Sequence, residues 1–224
     1  MNKSEVPMTE KESLELIASM IRRAKEACHD TGVSAIMWGA LIAFCSLEKL
    51  AELQFGFHLP FDIYLLTIVA VIPQIIIQRR ENKLKKAKSW EDDFQQALWL
   101  SFGICIFILI FLLNVMLPVW FKSAEEYTAV TGKSFPFQLH EYTASLFLML
   151  YGIPTFITGL TMKFRPMFWG GIICWCASVA SMFTPIKADL ALLALSAIVA
   201  WLIPGIILEK EYRKAKKQLS EQDV

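Results

Sequence analysis

Two glutamates one helical turn apart, Glu48 and Glu52, with Lys49 beside the first, interrupt an otherwise apolar run from Val33 to Phe55. On a helix, positions i and i+4 share a face, so the two carboxylates are neighbours. Two such groups do not readily both ionise in a low-dielectric medium. The spacing therefore predicts a proton or cation site built from Glu48, Lys49 and Glu52. His58, Asp62, His140 and Glu141 are placed to join it from the outer ends of neighbouring segments. The competing reading is a short membrane core, with the same charges reaching into headgroups or water.

Depth sharpens the question. Glu48 is ten residues beyond Trp38, about 15 Å along a helix axis at 1.5 Å per residue. With Trp38 at one boundary, that is near the middle of a ~30 Å hydrocarbon core. A charge at such depth costs at least ~2.5 kcal/mol on insertion scales. These three charges should then face the bundle interior, pair with one another, or become protonated. Asn114 is the other deep polar residue, and an interhelical hydrogen bond is its expected role.

The elements that carry these residues are membrane spans. The chain has 224 residues, 55% hydrophobic and 19% charged, with a mean hydropathy of +0.46. Soluble domains run nearer 45–50% apolar and a quarter charged. The balance excludes a cytosolic enzyme, a nucleic-acid binder and a secreted disulfide scaffold. Six segments are apolar and long enough to cross, near 33–55, 61–78, 97–118, 141–162, 167–184 and 190–208. The fold class is an all-α polytopic bundle. Residues 1–32 precede it as an amphipathic cytoplasmic helix, and residues 209–224 follow as a basic cytoplasmic tail continuing helically from the last span. Thr9 and Glu12 form a capping box for the first of these. Leu14, Ile17, Ile21, Ala24 and Cys28 make its apolar face, set against the inner ends of the bundle or the headgroup layer. No apolar core of a signal peptide precedes it.

Charge tests the topology. With both termini inside, eighteen of the twenty-two basic residues are cytoplasmic, leaving Lys49, Lys122, Lys133 and Lys187 outside. That is a strong positive-inside bias, and it places both termini in the cytoplasm of a cell whose inner membrane holds the chain. Seven acids lie on or toward the outer side against four lysines, so the net charge of +1 conceals an acidic outer face and a basic inner one. Anionic lipid is the natural partner of the inner face, with a cytoplasmic protein as a second possibility. Cys45, Cys105, Cys174 and Cys176 fall within spans, so no disulfide framework or zinc site is implied.

A repeat runs through the spans. Ile72-Pro73-Gln74-Ile75-Ile76 recurs as Ile203-Pro204-Gly205-Ile206-Ile207, a shift of 131 residues. The same shift carries Trp38-Gly39 onto Trp169-Gly170 and Cys45 onto Cys176. A looser middle copy begins at Trp99 and returns through Pro154, with about twenty extra residues in an outer loop around 119–140. This predicts three helical hairpins, each kinked at its proline, Pro73, Pro154 or Pro204, near the cytoplasmic end. Charge breaks the repeat in one place. Glu48, Lys49 and Glu52 map onto Val179, Ala180 and Phe183 in the third hairpin, and onto Leu109, Ile110 and Leu113 in the second.

The stretches Glu12-Ser13-Leu14-Glu15-Leu16-Ile17, Ala24-Lys25, Ser34-Ala35-Ile36-Met37-Trp38-Gly39 and Ile72-Pro73-Gln74 resemble small bacterial six-span membrane proteins that are uncharacterised. The resemblance implies a bacterial inner-membrane location and brings no activity, cofactor or site residue. The residues themselves carry no phosphate loop, His-Glu-x-x-His or nucleophile elbow. Two functions follow as expectations. The first is a non-catalytic regulatory, sensory or scaffold protein without a cofactor, able to form an oligomer. The alternative is a small transporter or channel using the Glu48/Glu52 face, which a polar cavity joining Tyr64 and Asn114 to the carboxylates would favour.

Overall fold

The computed structural model describes residues 31–84 and 90–222, and it is helical throughout them apart from short turns. The predicted amphipathic helix over 1–32 lies outside the described residues save for its last two positions. The helices are α1 (Val33–Phe55), α2 (Leu65–Leu84), α3 (Trp90–Thr131), α4 (Thr143–Thr161), α5 (Arg165–Ala180), α6 (Ile186–Ala197) and α7 (Ile203–Gln222). A 3-10 turn, Leu139–Tyr142, leads into α4, and a π-helical turn, Ile198–Leu202, joins α6 to α7 without a break.

Among the described residues, four segments are long and apolar enough to cross a membrane: Val33–Phe55, Trp90–Thr131, Leu139–Thr161 and Ile186–Ala215. The other two predicted spans form shorter apolar helices. α2 ends on Arg79, Arg80, Glu81 and Lys83. α5 has 16 residues, about 24 Å against a ~30 Å core. The third segment departs most from its predicted bounds of 97–118. α3 is a 42-residue helix, about 63 Å long. Much of the expected outer loop is therefore helix. Ser123, Thr128 and Thr131 each return a hydroxyl to the carbonyl four residues back, so the side chains of this polar extension are satisfied within the helix.

Glycine ends two of the helices. Gly56 (φ 71°) follows α1 and donates to the Glu52 carbonyl, and Gly132 (φ 67°) does the same after α3 at Thr128. Both are left-handed positions that glycine takes without a Cβ penalty. Proline interrupts none of the helices: Pro73 and Pro154 lie inside α2 and α4, and Pro204 follows the π-helical turn at the start of α7. Their settings differ, since Pro154 and Pro204 are fully buried whereas Pro73 is exposed.

The core is made by α1, α4, α5, α6 and the π turn. Ile42, Leu148, Tyr151, Cys174, Leu193 and Trp201 lie at its centre. The closest packing runs between the predicted hairpins rather than within them, α4 on α5 and α1 on α6. At the α4–α5 crossing, Gly159 faces the backbone of Phe168 and Gly171 faces that of Phe156. Ser145 and Ser178 each donate a hydroxyl to the other's carbonyl at 2.8 Å. In membranes such interfaces use small residues because close approach and hydrogen bonding replace the hydrophobic drive. The repeat-related Gly39 and Gly170 both pack on the π turn, the first against Leu202 and the second against Ala200. α2 and α3 flank this core. Phe107, Phe111 and Val119 of α3 and Ile68 and Ile72 of α2 are exposed.

Candidate functional site

α1 directs Trp38, Cys45, Glu48 and Glu52 toward α2 and the segment that precedes it, because these positions recur at three, four and seven residues. At one end Trp38 Nε1 donates to Gln74 Oε1 on α2 at 3.0 Å. Further along, the Cys45 thiol lies 3.6 Å from the Ile63 carbonyl, and Ser46 Oγ and Tyr64 OH are 3.1 Å apart. Glu52 closes the row and is buried. Its Oε2 accepts from Lys49 Nζ at 2.5 Å, and its Oε1 meets His58 Nδ1 at 3.0 Å.

The two glutamates are therefore unlike. Glu52 is held between a cation and an imidazole that reach it from the surface, with side chains 38% and 85% exposed. Glu48 has both carboxylate oxygens buried, with no hydrogen-bond partner among the described residues. It lies within electrostatic range of Cys45 and Tyr64, as does Asp62. Glu48 is half-buried as a residue, and no side chain of the described residues offsets its carboxylate. What the arrangement offers is a carboxylate without a counter-charge among the described residues.

The remaining predicted residues divide. His58 joins Glu52, and Asp62 caps the turn into α2 by accepting from the Tyr64 amide at 3.0 Å. His140 goes elsewhere, against the rings of Trp120 and Phe121 between α3 and α4. Glu141 beside it is exposed. Asn114 does not bridge helices as expected. It is exposed and donates to the Ile110 carbonyl of its own helix at 2.8 Å, so it takes no part in the polar row. Among the described residues no three His, Cys, Asp or Glu side chains converge as metal ligands.

Two buried polar contacts had no distinctive signal in the sequence. Asp189, read there as one more outer charge, is 1% exposed. Its Oδ1 accepts from Thr184 Oγ1 at 2.5 Å, while Oδ2 is buried without a partner among the described residues. Thr155 Oγ1 accepts from Trp201 Nε1 at 2.7 Å in the core. Trp201 also meets Trp99, Phe102 and Tyr151 in edge and tilted ring contacts, which fill the middle of the bundle with aromatic side chains.

The fold and this row define a helical membrane protein with an ionisable group enclosed in its first helix. No protein-family model, curated protein or solved structure matches the chain.

Proposed function

We propose that this chain is a non-catalytic sensory or regulatory protein of a bacterial inner membrane, whose sensing group is Glu48. The observation that carries the reading is the Glu48 carboxylate, buried with neither oxygen partnered among the described residues. Binding of a small cation there would offset that charge, so occupancy and the position of α1 become linked. α1 is a suitable lever. Its inner end passes within van der Waals contact of α7, where Gly32 and Ile36 meet Gly205. α7 continues into Lys210, Arg213 and Lys214, a basic surface suited to anionic lipid or a cytoplasmic protein.

The proposal includes the finer topology. α2 and α5 join the four longer segments as membrane-inserted helices, giving six, with both termini on the cytoplasmic side. The positive-inside distribution supports this, because α2 and the α4–α5 turn then carry their basic residues inward. Three hairpins related by descent fit the shared frame of the sequence repeat. Exposed faces of α2 and α3 are available to lipid or to a second copy.

A small transporter or channel is the second reading, favoured by the same bare carboxylate. It needs a polar path through the bundle, and the ring cluster around Trp201 occupies that route. One experiment separates the two. The protein is reconstituted in vesicles with a fluorophore on Lys210→Cys in a cysteine-free background, and pH and alkali cation are varied. A sensor gives a signal that Glu48→Gln abolishes and Glu52→Gln preserves, with no ion flux. A signal untouched by Glu48→Gln would remove Glu48 from the account. A flux that Glu48→Gln abolishes would establish transport.

A further inference from the structure

A second concave site lies where α3 leaves the apolar layer. Trp120 and Phe121 end the apolar part of this helix, and Lys122, Glu125 and Glu126 follow. After Gly132 the chain turns back, and Phe135 and Gln138 come to lie against the extension. The result is a groove of about 620 Å³, open to the exterior, lined by Trp120, Phe121, Glu125, Thr128, Phe135 and Gln138 among others. Its walls are fixed by ring contacts. Trp120 meets Phe121 at 5.0 Å and Phe135 at 5.9 Å, and Tyr127 meets Phe135 at 5.3 Å, all edge to face.

The chemistry of this lining is selective. Aromatic faces attract cations through their quadrupoles. Glu125 is the one charge among the lining residues, and no lysine or arginine is among them. The groove therefore favours a ligand that presents an organic ammonium group over one whose head is an anion alone. Directly below it on the same helical face, at successive spacings of three and four, run Leu117, Asn114, Ile110 and Phe107. Ile110 and Phe107 are 39% and 70% exposed, so the lane is uncovered. An occupant with an ammonium head and an apolar tail matches groove and lane together.

We infer that this groove binds an aminophospholipid, its ammonium between Glu125 and the Trp120 and Phe135 rings and an acyl chain along α3. The inference rests on α3 crossing the membrane and is independent of any role for Glu48. A cation over an exposed aromatic contributes enough for a preference of about two- to fivefold, before Glu125 is counted.

The test uses the full chain in phosphatidylglycerol vesicles, which offer no ammonium. Trace phosphatidylethanolamine or trace phosphatidylglycerol, brominated on the acyl chain, is added as quencher. The difference between the wild type and Trp120→Phe isolates quenching at Trp120 from the other tryptophans. The expected result is at least twofold more quenching by the ethanolamine lipid, lost in Glu125→Gln and restored in Glu125→Asp. Retention of phosphatidylethanolamine through detergent exchange, read by native mass spectrometry, should fall by one molecule in Glu125→Gln. Equal quenching by both lipids, no quenching assignable to Trp120, or a preference that survives Glu125→Gln would each overturn the assignment. The Glu48-dependent fluorescence signal stays intact in Glu125→Gln, so failure here and failure of the sensing reading are told apart.

Discussion

Replacing Gly39 by alanine tests how closely α1 is seated on the π-helical turn. A Cβ at Gly39 would stand 2.5 Å from the Leu202 amide nitrogen and 2.9 Å from its Cα. That is about 0.9 Å inside the 3.4 Å at which ordinary contact begins. The obstacle is backbone, so no side-chain rotation relieves it, and the helices must separate or the turn must rewind. Overpacking of this kind costs about 1–3 kcal/mol. Alanine's higher helix propensity offsets up to ~1 kcal/mol of that. The expected net loss is about 0–2 kcal/mol against the wild type, and about 1–3 kcal/mol against a glycine-to-alanine change that meets no backbone. Gly170→Ala approaches the same turn from α5, with its Cβ 2.7 Å from Ala200 Cα, and should cost a similar amount. Gly103→Ala is the control, because nothing lies within 4 Å of a Cβ there, so only the propensity gain remains. The assay is reversible unfolding in mixed micelles titrated with sodium dodecyl sulfate, followed by circular dichroism. The reasoning is refuted if Gly39→Ala and Gly170→Ala unfold at or above the midpoint of Gly103→Ala.

Further outcomes follow from the polar contacts. Thr155→Val keeps the core filled but strands the Trp201 indole N–H, and should destabilise by about 1–2 kcal/mol; the same titration measures it, and a neutral result would show that Trp201 has another acceptor. Glu52→Gln should lower the unfolding midpoint by weakening the Lys49 and His58 contacts, whereas Glu48→Gln should hold or raise it by removing a bare charge. The opposite ranking would reverse our assignment of the two carboxylates. Trp38→Phe loses the bond to Gln74, and its effect should be absent in a Gln74→Leu background, where a double-mutant cycle reads the coupling between α1 and α2.

Much of the architecture was legible because a bilayer leaves little choice. An apolar run that cannot find water must satisfy its own backbone, and helix is the local way to do so. The bounds of α1 are those expected, with Gly56 as the stop. The length of α3 was not legible. Lys122, Glu125 and Glu126 read as a loop by polarity, yet Ser123, Thr128 and Thr131 suit an exposed helix equally well, and Gly132 supplies the real end. The repeat drew attention to Trp38-Gly39 and Trp169-Gly170, and both glycines pack on one turn. It said nothing of why, because their shared partner, the π turn, is 163 residues from Gly39 and is reached by Gly170 only through the α5–α6 turn.

The sequence by itself determined that this is a helical membrane protein, where its charge lies, and that Glu48 and Glu52 interrupt an apolar helix. These are properties of composition and period, which depend on neighbours along the chain. The tertiary structure decided which glutamate is compensated. Lys49 and His58 turn to Glu52, Ile63 and Tyr64 meet Cys45 and Ser46, and both Glu48 carboxylate oxygens are left without a partner among the described residues. The same holds for Asp189, buried in α6, and for the core, drawn from α1, α4, α5, α6 and the π turn with Trp99 and Phe102 of α3 packed against it. Compensation of a charge is a matter of distances of about 3 Å between elements, and no one-dimensional spacing fixes those.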